Sequence, residues 1–154
     1  MAEAPAVCFL QATCVAIDGA GVLIRGPSGS GKSDLARRLI DGGALLVADD
    51  GVELRRVGDS IAARFPPDGA PECRGRLEVR GLGIVAVPCS DSARLDLVVD
   101  LVSGAPVERL PEPAAAELLD IAVPAIRLDG FEASAPAKVR LAVRARSGFI
   151  IPPP

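Results

Sequence analysis

The sequence of 154 residues contains no histidine, no tryptophan and no tyrosine, and only four phenylalanines. Without an imidazole, no histidine can serve as general base, general acid or phosphate carrier. Any proton transfer must fall to carboxylates, lysine or water. With aromatics at 3%, the core has to be built from Leu, Val, Ile and Ala, which suits an α/β sheet domain. No apolar run reaches the roughly 18 to 20 residues of a membrane span. The start Met1-Ala2-Glu3-Ala4-Pro5 has no basic stretch, so neither a membrane partner nor a signal peptide is expected. No long basic run and no interleaving of basic and aromatic residues occurs, and the net charge is −3. Nucleic acid is therefore not expected as the main partner. The four cysteines, Cys8, Cys14, Cys73 and Cys89, show no C-x-x-C spacing. They read as reduced, mostly buried thiols of a cytosolic protein rather than as a zinc site.

What is present suffices for one domain. Apolar residues make up 49% of the chain, enough for a core. No internal repeat and no linker divides it, so 1–150 is expected to form a single mixed α/β domain with a central sheet and few helices. Pro152-Pro153-Pro154 ends a tail, 151–154, expected to be disordered. One or two strands are expected over 7–17, then a turn at Asp18-Gly19-Ala20-Gly21 and a short buried strand at Val22-Leu23-Ile24. A helix is expected from Asp34 to Ile40, stopped by Asp41-Gly42-Gly43, and a second buried strand over Ala44–Ala48. A hairpin follows over 52–65, then a loop over 66–75, weak alternation over 77–87 and a strongly apolar strand over 95–102. Residues 103–113 read as loop, 114–120 as a short helix, and 133–146 as a helix ending at Gly148.

Between the strand at Val22-Leu23-Ile24 and the helix at Asp34 stands Gly26-Pro27-Ser28-Gly29-Ser30-Gly31-Lys32-Ser33. This is the G-x-x-x-x-G-K-S phosphate loop in its expected context. The glycines let backbone N–H groups turn inward toward phosphate oxygens, and the helix brings its positive end. Lys32 can reach the outer phosphates as a point charge, and the Ser33 hydroxyl can ligate Mg²⁺. A chance match in a glycine-rich chain is the competing reading, and the flanking elements count against it. ATP and Mg²⁺ are the implied ligands.

The second buried strand stops on two carboxylates, Asp49 and Asp50. Ligands of open α/β sheets lie at the carboxyl ends of strands, so this pair is expected beside the phosphate loop. A carboxylate there can accept a proton from an attacking hydroxyl or hold Mg²⁺, and like-charge repulsion can raise the pKa of one of the two. The competing reading is a solvated turn that opens the hairpin.

Three stretches together, Gly26 to Ser33, Leu46-Val47-Ala48-Asp49-Asp50 and Leu77-Glu78-Val79-Arg80-Gly81-Leu82-Gly83-Ile84, resemble the catalytic domain of HPr kinase/phosphorylase. The chain is similar in particular to the short α-proteobacterial form, which lacks the family's N-terminal domain. The resemblance covers nearly the whole chain, and Glu-x-Arg-Gly-Leu-Gly is its most specific element. It implies a P-loop fold of the carboxykinase-like type and a homo-oligomer, a hexamer. It also implies a cytoplasmic ATP-dependent kinase that phosphorylates a serine of HPr, the phosphocarrier of the sugar phosphotransferase system, and so regulates carbohydrate metabolism. By position, Gly26 to Ser33 would hold ATP, Ser33 and Glu78 would ligate Mg²⁺, and Asp49 and Asp50 would supply the base. Arg109, within Val107-Glu108-Arg109-Leu110, would stabilise charge at the γ-phosphate. Two departures bear on the phosphorylase half of the activity. Gln11 stands where the family usually has a catalytic His, and an amide cannot carry a proton. Leu128 to Ser134 lacks the arginines of the family's segment linked to dephosphorylation. The alternatives are a small-molecule P-loop kinase, for which no arginine-rich lid is visible, and a nucleotide-binding regulatory module without turnover.

Overall fold

A computed structural model describes residues 6–145. The 151–154 tail and the expected helix end at Gly148 lie outside the described residues. Strands β1 (Val7–Leu10) and β2 (Thr13–Ile17) occupy the first apolar stretch, as expected. Asp18 and Gly19, with φ of 49° and 83°, form the turn into β3 (Ala20–Arg25), a strand buried along nearly its whole length. Helix α1 (Lys32–Asp41) follows the phosphate loop, with Leu35, Ala36 and Leu39 buried on one face. Strand β4 (Leu45–Ala48) leads through the acid pair to the hairpin of β5 (Val52–Val57) and β6 (Ser60–Arg64). A 3-10 turn at Pro71–Cys73 precedes a small separate hairpin, β7 (Arg76–Val79) with β8 (Gly83–Ala86). Then come the long β9 (Ser92–Leu101), the hairpin β10 (Ala114–Leu118) and β11 (Ile121–Leu128), and helix α2 (Ala135–Ala145).

The main sheet runs β1-β5-β6-β9-β3-β2-β4, with β11 also paired to β9 and β10 to β11. Two pairings are parallel, β3 with β9 and β9 with β11; the others are antiparallel. Since β2 is antiparallel to both β3 and β4, β4 runs in the same sense as β3. The carboxyl ends of β3, β4, β9 and β11 and the start of β2 therefore lie at one edge of the sheet. Between parallel strands the chain crosses back to the opposite edge before the next strand begins, as a parallel pairing requires.

Apolar side chains alternate across the sheet into two cores. Val22, Ile24, Leu97, Val99 and Leu101 pack with both helices. Leu23, Val98, Leu54, Ile61, Leu118 and Val123 pack on the opposite face. Arg64 (2.6 Å) and Arg55 (3.5 Å) pair with the buried carboxylate of Glu53 on β5.

Two expectations are corrected. Residues 114–120 form no helix: Ala114–Leu118 is strand β10, with Ala116 and Leu118 buried. The run Ala-Ala-Ala-Glu-Leu favours helix by intrinsic propensity. Here Leu119 and Asp120 both adopt positive φ, as a tight two-residue hairpin turn requires, and pairing with β11 overrides the local preference. The thiols are also not mostly buried. Cys14 is buried, and burial pushes its pKa up to about 12, but Cys73 and Cys89 are exposed. Cys73 lies in the 3-10 turn, and Cys89 lies on the segment that joins β8 to β9, where it forms an isolated parallel bridge with Leu46 of β4. Among the described residues no helix is long and apolar enough to cross a membrane.

Leu23, fully buried at the centre of the sheet, tests this packing. Leu23→Ala should cost about 2–5 kcal/mol of unfolding free energy, measured by urea denaturation.

Candidate active site

At the shared edge, β3 delivers the chain into the phosphate loop. Ser30 N donates to the Pro27 carbonyl at 3.0 Å, closing a turn, and Gly29 and Gly31 take φ of 80° and 96°. Those conformations favour glycine and turn the peptide N–H groups into a concave nest. Gly26 is required for a different reason, since a Cβ there would stand 2.5 Å from Ser30 Oγ and 3.1 Å from Leu101 Cβ. The Ser30 hydroxyl is buried without a hydrogen-bond partner, an arrangement that an anion in the loop would relieve. Gly31 is the N-cap of α1, with no side-chain cap, so the helix's first N–H groups face the same nest. These features fit phosphate.

Lys32 donates from Nζ to the carbonyls of Gly26 at 2.7 Å and Pro27 at 3.1 Å. Asp49, immediately past β4, accepts two hydroxyl hydrogen bonds on its Oδ1: from Ser33 at 2.9 Å and from Thr13 at 2.8 Å. Asp50 is exposed at φ 58°, a conformation that aspartate tolerates better than most residues. Its pKa is raised, first by repulsion from Asp49 and then by partial burial and Glu78; the Lys32 ammonium opposes the shift. Ser33, Asp49, Asp50, Lys32 and Glu78 thus form one electrostatic group.

The structure brings the phosphate loop, the acid pair and Glu78 together. It does not bring in Arg109, which is exposed on the 102–113 segment; no contact ties it to the phosphate loop among the described residues. The two ends of that segment do lie at the shared edge. Two residues escape the sequence reading. Thr13 is fully buried on β2 and reaches Asp49 across a separation of 36 positions, which leaves no local signature. Phe131, beyond β11, packs on Gly31 of the loop. A lone Phe in a turn carries no signal by itself.

No group of three or more Cys, Asp and Glu side chains capable of holding a metal ion occurs among the described residues. Mg²⁺ does not need one, because it keeps several waters and is usually held by one or two protein groups plus substrate phosphates. Ser33 Oγ and the Glu78 carboxylate are oxygen donors of the kind that Mg²⁺ takes.

A family model described as HPr Serine kinase C-terminal domain matches residues 4–139. The chain is 40% identical over 125 residues to the HPr kinase/phosphorylase of Caldicellulosiruptor bescii, a match covering 74% of this chain and 39% of that protein. It is 53% identical over 68 residues to the HPr kinase/phosphorylase of Chromobacterium violaceum, covering 44% of this chain and 20% of that one. The chain thus spans well under half the length of these relatives. Among solved structures it is similar to the Hpr(Ser) kinase/phosphatase from Coxiella burnetii. The TM-score is 0.76 at 27% identity, over 91% of this chain and 96% of the other. The likeness bears out the expected mixed-sheet P-loop fold of the carboxykinase-like type, with few helices.

The acid pair can be checked by ¹³C NMR titration of the carboxyl groups. Asp50 should titrate above the usual aspartate range. Asp49→Asn removes the largest cause of the upward shift, so the Asp50 midpoint should fall. An unchanged midpoint would contradict the pairing.

Proposed function

The chain belongs to the HPr serine kinase C-terminal domain family, and we propose on that basis that it is a protein-serine kinase that transfers the γ-phosphoryl group of ATP to a serine of an HPr-like phosphocarrier. The reaction is ATP + protein-Ser → ADP + protein-phosphoSer. One observation carries the reading: the loop that fits phosphate and a carboxylate with a raised pKa stand at the same sheet edge.

The loop from Gly26 to Ser33 cradles the phosphates with backbone N–H groups. Lys32 shifts from its own loop carbonyls to the outer phosphate oxygens and offsets the charge that accumulates as the γ-phosphoryl leaves. Ser33 and Glu78 would hold Mg²⁺, whose charge would neutralise the β- and γ-phosphates. Asp50 accepts the proton of the serine hydroxyl and returns it to solvent. Its raised pKa suits a base working nearer neutral pH than an ordinary aspartate. Asp49 already accepts from two hydroxyls, so its part is to orient Ser33 and to keep Asp50 in place. Arg109 would swing in with the 102–113 segment to stabilise the transferring group. The proposal includes cytoplasmic action and assembly into a homo-oligomer, a hexamer. It also assigns little phosphorylase activity to this chain, since Gln11, two positions before Thr13, cannot exchange a proton with phosphate.

The deciding assay incubates the protein with labelled ATP, Mg²⁺ and purified HPr. Label on an HPr serine supports the reading; tight ATP binding with no transfer favours a regulatory module, and transfer to a small metabolite alone favours a small-molecule kinase. Lys32→Ala should lower transfer by roughly 10²–10³-fold. Asp50→Asn should lower it by about 10²–10⁴-fold with ATP affinity kept. In a separate measurement, Gln11→His should raise phosphate-dependent dephosphorylation of phospho-HPr. No gain would shift the cause to the 128–134 segment.

A further inference from the structure

Phe131 is 59% exposed, one of only four phenylalanines in the chain, yet its backbone is firmly held. Its N–H donates to Asp129 Oδ1 at 3.0 Å. Arg38 of α1 donates to the carbonyls on either side of it, those of Gly130 and Glu132, and Glu132 is ion-paired to Lys138 at 2.8 Å. Gly130 lies so close to the phosphate loop that a Cβ there would meet the Ser30 carbonyl at 3.0 Å and Leu101 Cδ1 at 2.9 Å. The Phe131 ring itself rests on Gly31, whose added Cβ would stand 3.1 Å from Phe131 Cε1. A large apolar ring is thus fixed against the phosphate loop and left more than half open to solvent.

The sheet order says which end of a bound nucleotide this ring would meet. The phosphate loop leaves β3 at the middle of the shared edge. Asp49 and Asp50 leave β4, on the β2 side of β3. The turn bearing Phe131 leaves β11, on the β9 side. A triphosphate in the loop with its reacting end toward the acid pair directs its nucleoside toward β9 and β11. We propose that Phe131 is the stacking platform for the nucleobase of the bound nucleoside triphosphate. The inference rests on the nucleotide-site reading above and adds to it the group that holds the base. An aromatic face attracts any base by stacking, and a ring already immobilised gives up little entropy on binding.

Titration calorimetry with Mg²⁺-ATP and with Mg²⁺-tripolyphosphate separates the two ideas. Phe131→Ala should bind ATP roughly tenfold or more weakly and bind tripolyphosphate as the parent chain does. A second variant guards against indirect effects. The chain has no tryptophan, so in Phe131→Trp the indole emission reports this position alone; ATP should quench it and tripolyphosphate should not. Equal ATP affinity of the parent and Phe131→Ala, equal loss of both ligands, or equal quenching by both would overturn the stacking role while leaving the phosphate site standing. A parent chain that binds neither ligand, or binds both unchanged after Lys32→Ala, would overturn the nucleotide site and the stacking role with it.

Discussion

A single carboxylate oxygen, Asp49 Oδ1, accepts from the hydroxyl of Thr13 at the start of β2 and from that of Ser33 in the first turn of α1. Three elements meet at that atom: the strand beside the phosphate loop, the helix that follows the loop, and the strand that ends in the acid pair. Hydrogen bonds to a charged group contribute about 1.5–3 kcal/mol each, and a fully buried Thr13 has no water with which to replace the bond. The junction sets where Asp50 stands. With its neighbour tied down, Asp50 can neither move far from the second charge nor bury itself. The repulsion persists and raises its pKa. The positive φ of Asp50 belongs to the same constraint, because the chain must turn sharply between the end of β4 and the start of β5.

The junction depends in turn on strand direction. Had β4 run opposite to β3, the acid pair would lie at the far edge of the sheet, more than the length of a strand from the phosphate loop. Two successive antiparallel pairings through β2 restore the sense of β3, and the parallel pairings through β9 do the same for β11. The edge therefore collects acids on one side of the loop and an aromatic ring on the other. A doubly wound sheet reaches a comparable result with helices on both faces. Here both helices pack with one core, and strands cover the other.

The parts legible in the sequence are those whose determinants are contiguous. The phosphate loop, α1, the β5–β6 hairpin and the acid pair each depend on neighbours a few positions away, where glycine, alternation and abrupt polarity carry the information. What the sequence hides is long-range. Thr13 matters only because Asp49, 36 positions on, folds against it. Phe131 matters only because Arg38 clamps its turn from 94 positions away. Strand β10 is misread for the same reason, since its alanines become a strand by pairing with β11, a segment interrupted by Pro124 and without a local strand signature. Glu78 was legible through family resemblance and not through chemistry: on β7 it is one exposed residue among several, and its proximity to Asp50 comes from how the small hairpin sits on the body.

A second carboxylate stands near the end of a parallel strand at the same edge, and its surroundings set it apart from the acid pair. Asp100 lies on β9, directly paired with Arg25 at the end of β3, next to the phosphate loop in both sequence and sheet. Its position resembles that of the metal-holding acid of many nucleotide-binding sheets. Yet Arg25 takes both of its oxygens, at 2.8 and 3.1 Å. Side chains alternate along a strand, so Asp100 and Arg25 share the face of Val98 and Leu23, away from α1. Ile24, Val99 and Leu101 take the helix side. A carboxylate on that face cannot reach the first turn of α1, where Ser33 stands. Asp49 reaches it because it follows the last residue of β4 and is freed from the alternation by the turn. The fork of Arg25 binds the ends of β3 and β9 together at the base of the phosphate loop, whereas the acids at the end of β4 lie beyond the sheet and stay within reach of the loop and of α1.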